Sequence, residues 1–212
     1  GNWSISNGFT ADSILDIDFT RANNGYFACG SDGLWHYEAG SWTNELKVDG
    51  YKFNKVVFTD ELSGWASAFK KYDLPPPYNF DSKLFSCYNG VWSEVTIPGE
   101  DGIYMPVSGI DITSYDIGIA SYNMLYTKIE NNWNMFNLQT GDSITAFKFM
   151  QDVPVAMHTP AYQTHAAWMS TKRLAGDVKG IIYYNDFLQD NWSTAYETAT
   201  GAFNDLCVAD YM

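Results

Sequence analysis

The sequence predicts an all-β chain assembled from repeats of one four-stranded antiparallel unit. Three observations carry this. Five of the eight tryptophans share one turn context, short apolar alternations recur ahead of each, and no stretch shows the 3.6-residue period of an amphipathic helix. The 212 residues are 46% apolar and 17% aromatic but only 17% charged, so the chain can bury a sizeable core.

The turn comes first in the argument because it sets the register. The copies are GNW at Trp3, GSW at Trp42, GVW at Trp92, NNW at Trp133 and DNW at Trp192. A small or turn-forming pair before each tryptophan predicts a tight hairpin turn opening the last strand of a unit, strand D. Eight residues before the tryptophan an aliphatic residue recurs: Leu34, Leu84 and Leu125 open strand C, and IIYYNDFLQDNW is the same pattern with three residues more. Earlier still come LDIDFT (15–20), NKVVFT (54–59), SGIDIT (108–113), TAFKFM (145–150) and NDLCVA (204–209), alternating strands that read as strand A. Runs of small and apolar residues follow, GYFACG, GWASA, IGIAS and AAWMS, and read as a crowded strand B.

Four whole units result, near 13–48, 53–98, 107–139 and 144–198, within one domain spanning 1–212. Four short antiparallel strands per 40 to 60 residues are the blade of a β-propeller. Residues 1–7 read as a strand D without its A, B and C, and 203–212 as a strand A alone. The ends fit an excerpt of a longer propeller, a five-bladed ring with an unusual fifth blade, or a four-bladed ring with both ends packed outside; the expectation is four full blades plus an incomplete fifth.

The G-x-W turn between strands C and D resembles a degenerate Asp-box, the repeat of sialidase-type propellers, although no copy keeps the full Asp-box. The A-to-B portion, I-x-F followed by GYFACGSDG, is similar to the related propellers that assist photosystem assembly. Such propellers include glycosidases, lectins, assembly factors and adhesins, so the resemblance implies a fold and not one activity. Sialidases hold their substrate with three arginines; this chain has only Arg21 and Arg173, which argues against that branch.

The net charge of −13 makes nucleic acid and anionic membrane surfaces poor partners, and no apolar run is long enough to span a bilayer. Cys29, Cys87 and Cys207 lie in apolar runs at wide spacing and read as buried free thiols. Strand parity places the D–A and B–C loops at one end of each blade and the A–B and C–D loops at the other. The longest B–C insertion, 70–82, is stiffened by Pro75, Pro76 and Pro77. It carries Tyr72, Tyr78 and Phe80, and the D–A loop 98–106 adds Tyr104 at the same end. Aromatics held on a stiff loop suit stacking on a glycan or anchoring a protein partner.

Other chemistry is weaker in the sequence. His158 and His165 lack a third ligand at a metal spacing, His36 reads as a half-buried packing residue, and TDELSG (59–64) lacks an EF-hand pattern. No cofactor fingerprint or Ser-His-Asp elbow is present. Inner-strand carboxylates Asp16, Asp18, Asp111, Asp205 and Asp210 are the candidates for glycoside hydrolysis, with Asp18 and Asp111 at matching repeat positions. The reading that follows is a non-catalytic recognition or scaffold module, secreted or at the cell surface, binding a glycan or protein through Tyr72, Tyr78, Phe80 and Tyr104. The alternative is a glycoside hydrolase using Asp18 and Asp111.

Overall fold

The computed structural model describes residues 9, 11, 13–75, 79–97, 103, 105–113, 116–129, 132–138, 142–149, 166–173, 180–186, 192–198 and 202–206. The described strands form four four-stranded antiparallel sheets, each a meander of consecutive strands. The first holds β1 (Asp16–Arg21), β2 (Asn24–Ala28), β3 (Leu34–Glu38) and β4 (Ser41–Leu46). The second holds β5 (Lys52–Phe58), β6 (Gly64–Lys71), β7 (Phe80–Tyr88) and β8 (Val91–Val95). The third holds β9 (Val107–Ile112), β10 (Ile117–Ser121), β11 (Met124–Ile129) and β12 (Asn132–Asn137). The fourth holds β13 (Asp142–Phe149), β14 (Ala166–Arg173), β15 (Gly180–Asp186) and β16 (Ser193–Thr198). The chain is therefore all-β, with four blades of the propeller type, as the repeat predicts. Residues 1–7 and 207–212 lie outside the described residues, and 202–206 carry no strand.

Two compact units divide the chain, residues 1–106 with the first two blades and 107–212 with the other two. In the first unit the C–D turns explain the G-x-W signature. Ala39-Gly40 and Asn89-Gly90 join their strands as two-residue turns with φ of 48°, 93°, 50° and 75°. Positive φ at both positions is the type I′ turn, whose twist matches the flanking strands and which favours glycine at its second place. The strand then restarts, and Trp42 and Trp92 fall on the face of the blade that carries the apolar residues of strand A.

That face makes the core of the unit. Val56 and Phe58 of β5 are buried with Phe53, Ala66, Ala68, Phe85 and Cys87 against Tyr26, Ala28 and Leu34 of the first blade. The Tyr26 ring lies flat on Phe58, centroids 3.6 Å apart at 9°, and Trp92 meets Phe58 edge-on at 5.7 Å. Gly64 makes room: a Cβ there would sit 2.5 Å from the Phe58 ring and 2.6 Å from the Val57 carbonyl. In the second unit Ala120 and Leu125 of the third blade pack on Ile144, Phe147, Phe149, Ala167 and Met169 of the fourth. Each fully buried apolar side chain of this size stabilises by roughly 1.5–3 kcal/mol relative to exposure.

Polar contacts tie the paired blades along their inner strands. Alternate amides of an edge strand point away from its own sheet and need an acceptor. In the first unit the Val56 N–H donates to Asp16 Oδ2 at 3.1 Å and the Phe58 N–H to Asp18 Oδ2 at 2.6 Å. In the second unit the Phe149 N–H donates to Asp111 Oδ2 at 2.7 Å, while Lys148 Nζ donates to Oδ1 at 3.0 Å. Phe58 and Phe149 hold the same repeat position, so one device serves both units.

Candidate functional site

The site is built at the end of the second blade from which its D–A and B–C loops leave. β6 and β7 run eight and nine residues against five in β8, so the β6–β7 hairpin overhangs the outer strand. The Tyr72 N–H donates to the Asn79 carbonyl at 2.8 Å and closes the base of the insertion. The free edge of the overhang is then paired by the chain returning toward the third blade. The Ser82 N–H donates to the Ile103 carbonyl and Ser82 Oγ to the Met105 carbonyl, both at 2.9 Å. Both loops thus meet at one end, as strand parity requires.

Six of the described side chains at this end form one cluster. The Asp81 carboxylate accepts a short hydrogen bond from the Tyr51 hydroxyl and a longer one from Tyr72 at 3.5 Å. This clasps the D–A segment before β5 to the B–C insertion. Burial, and after it the hydrogen bond to Asp81, raise the Tyr51 hydroxyl above the usual phenol range, so it stays a donor at neutral pH. Lys70 lies 5.2 Å above the Tyr72 ring and Lys83 lies 5.4 Å from the Tyr51 ring. Lys83 also pairs with Glu94 at 2.6 Å. A groove of about 160 Å³ opens beside them, lined by Asp81, Lys83, Leu84, Glu94, Thr96 and Ile103 among others. Tyr72 is 37% exposed and Leu74 55% exposed, so an aromatic and an aliphatic side chain stand out on a base held from both sides.

Of the residues expected to bind, Tyr72 is in the cluster. Phe80 is not on the loop: it is the first residue of β7, paired with Lys71, half-buried, with its ring 5.9 Å from Phe69. The strands simply run further than the insertion pattern suggests. Tyr78 and Tyr104 lie outside the described residues. Tyr51, Lys70, Asp81, Lys83 and Glu94 were not singled out by the sequence. A signal for Tyr51 existed, since it sits in a D–A segment at the same end by parity; Lys70 and Asp81 lay within the insertion and Lys83 and Glu94 on strands, and all four looked like ordinary solvated charges.

Asp18 and Asp111 lie in different units, and each holds the inner strand of the neighbouring blade. Burial raises Asp111, while Lys148 and the Phe149 amide pull it back. Asp16 is raised in the same way, against Lys55 and the Val56 amide. Asp205 is exposed and accepts the N–H of Leu206 at 2.8 Å, and Asp210 lies outside the described residues. His36 packs as expected, stacked on Tyr26 at 4.3 Å, with its ring nitrogens 3.4 Å from Glu45 and 3.2 Å from Asn24 Oδ1. His158 and His165 lie outside the described residues. Arg21 pairs with Glu38 at 3.1 Å and Glu61 at 2.7 Å. The 59–64 segment is a tight turn in which the Leu62 N–H donates to Asp60 Oδ1 at 2.7 Å. Among the described residues no three His, Cys, Asp or Glu side chains converge as a metal ion would require. No helix among them is long and apolar enough to cross a membrane.

No protein-family model matches the sequence, and a search of curated proteins finds no match. Among solved structures the chain is similar to the computationally designed Ika4 protein, at 12% identity and a TM-score of 0.46, covering 82% of this chain and 92% of that one. It is similar to YCF48 bound to D1 peptide, at 15% identity and a TM-score of 0.47, covering 92% and 71%. It is also similar to the extracellular domain of BT4673 from B. thetaiotaomicron, at 11% identity and a TM-score of 0.47, covering 88% and 28%. These are likenesses of fold.

Proposed function

We propose that the chain is a non-catalytic recognition module that takes a protein segment at the D–A and B–C end of its second blade. The observation that carries this is the Tyr51–Asp81–Tyr72 clasp, which joins two loops beside the groove while Tyr72 and Leu74 stay exposed. Tyrosines held in one rotamer cost little entropy on binding and dominate protein interfaces. A protein segment is favoured over a glycan because Lys70 and Lys83 already lie against the Tyr72 and Tyr51 rings, where a sugar ring would stack. Recognition is favoured over hydrolysis because the Asp18 and Asp111 carboxylates are engaged with backbone amides of the adjacent blades.

The test is to pan a random-peptide display library on the protein, with a Tyr72→Ala, Leu74→Ser double variant as the counter-target. Peptides that bind the parent and not the variant support the reading. No enrichment, or equal binding to both, refutes it. A panel of oligosaccharides titrated by tryptophan fluorescence runs alongside. A saturable change that the double variant abolishes would assign the surface to glycan instead.

A further inference from the structure

We infer that Asn89 is a site of spontaneous deamidation, gated by the β5–β6 turn. The sequence holds three Asn-Gly pairs, beginning at Asn7, Asn24 and Asn89, and the first lies outside the described residues. Glycine carries no Cβ, so its backbone nitrogen can close on the asparagine before it. The nitrogen loses its proton to solvent base and attacks Cγ. The bond from Cγ to the side-chain nitrogen breaks, and ammonia leaves. Water then opens the succinimide ring. Opening at Cγ gives aspartate, and opening at the α-carbonyl gives isoaspartate, in which the chain runs through Cγ.

The structure treats the two described pairs differently. Asn24 is 2% exposed within β2, and its Oδ1 lies 2.9 Å from Thr20 Oγ1 and 3.2 Å from His36 Nε2. Gly25 is paired with β1 on one side and β3 on the other, so its nitrogen is reached only when the blade unfolds. Asn89 is exposed, and its side chain has no hydrogen-bond partner among the described residues. It forms the β7–β8 corner with Gly90, at φ of 50° and 75°. The Gly90 N–H donates to the Leu62 carbonyl at 3.0 Å, and while it does so the nitrogen keeps its proton. The turn that supplies this carbonyl is itself held. The Leu62 N–H donates to Asp60 Oδ1 at 2.7 Å, and the Tyr26 hydroxyl donates to the Glu61 carbonyl at 3.0 Å. Opening one exposed turn costs far less than opening a sheet, so the native chain reacts at Asn89 and spares Asn24. Isoaspartate adds a backbone carbon to a two-residue loop, so Tyr88 and Val91 lose their pairing and β8 loosens at its start.

Incubation of the full chain in mildly alkaline buffer, native and in denaturant, tests this by peptide mass mapping at both asparagines. In denaturant Asn24 and Asn89 convert at similar rates. In the native chain Asn89 converts, more slowly than in denaturant, and Asn24 stays intact. Asp60→Ala, which releases the Leu62 N–H and loosens the turn, speeds native conversion at Asn89 several-fold. Asn24 reports unfolding in the same sample: if Asp60→Ala converts it too, the variant has lost the blade and the parent chain alone decides. An Asn89 that stays intact in the native chain over many half-times of the denatured one overturns the inference. So does native conversion in step with Asn24 or as fast as in denaturant, or a native rate that a folded Asp60→Ala leaves unchanged.

Discussion

Replacing Asp18 by alanine isolates the contribution of one inter-blade contact. The Phe58 N–H, which donates to Asp18 Oδ2 at 2.6 Å, is left facing a buried apolar interface without that acceptor. Phe58 is only 9% exposed and is held by Tyr26 and Trp92, so the strand cannot turn the amide outward without breaking ring contacts. A hydrogen bond to a charged partner is worth about 1.5–3 kcal/mol net, and a buried unsatisfied donor costs a similar amount. The expected loss is about 2 kcal/mol, which for a chain of this length lowers Tm by about 4–8 °C. Asp18→Asn keeps an oxygen acceptor in the same place and should lose less than half as much. The assay is thermal unfolding of parent, Ala and Asn variants followed by tryptophan fluorescence. An alanine variant that melts within about 1 °C of the parent, well under the shift expected for 1 kcal/mol, refutes the argument. An asparagine variant as damaged as the alanine one shows that the carboxylate acts through its charge and not as an acceptor.

Gly64→Ala forces a Cβ into the Phe58 ring and the Val57 carbonyl and should cost about 1–3 kcal/mol by overpacking. Gly25→Ala makes the matching clash with Phe19 but should cost less, because that ring is 57% exposed and can swing away; equal losses in chemical denaturation would refute this. Burial raises the folded Asp111 above its unfolded value, so the folded state binds that proton more tightly. Its contribution is fully present below the unfolded carboxylate range near pH 4 and is lost as pH rises through the raised value. The stability of the parent minus that of Asp111→Asn should therefore fall as pH rises above the unfolded carboxylate range, and a rising difference would contradict the sign. Cys29 is fully buried with its thiol pushed up to about 11, and Cys87 is raised in the same direction by burial. In a Cys207→Ser background neither thiol should react with a disulfide reagent at about pH 8 until denaturant is added.

The architecture was legible because it repeats. A turn that favours glycine, asparagine or aspartate at its second position writes itself into the chain each time, and alternation along strand A is a signal of period two that a helix cannot imitate. The aspartates were legible as matched positions but not as links between blades, because a hydrogen bond to a backbone amide leaves no trace in the partner's side chain. Val56 and Phe58 would look the same whether or not their amides met Asp16 and Asp18. The proposed binding end was half legible. Proline and tyrosine marked the insertion, whereas the Tyr51–Asp81–Tyr72 cluster joins residues from three parts of the chain. Phe80 was misplaced by one strand edge, since a hairpin that overhangs its sheet looks like a loop in the sequence.

The closed base of that insertion separates two tasks within the second blade. Because Tyr72 and Asn79 are joined through their backbone and Asp81 holds the Tyr51 hydroxyl, the register of β6 on β7 is set by residues outside the tip of the insertion. New sequences can be grafted there without altering a strand register, much as antibody frameworks accept new loops. The blade is then a host whose specificity can be rewritten by selection while its melting behaviour stays that of the sheet.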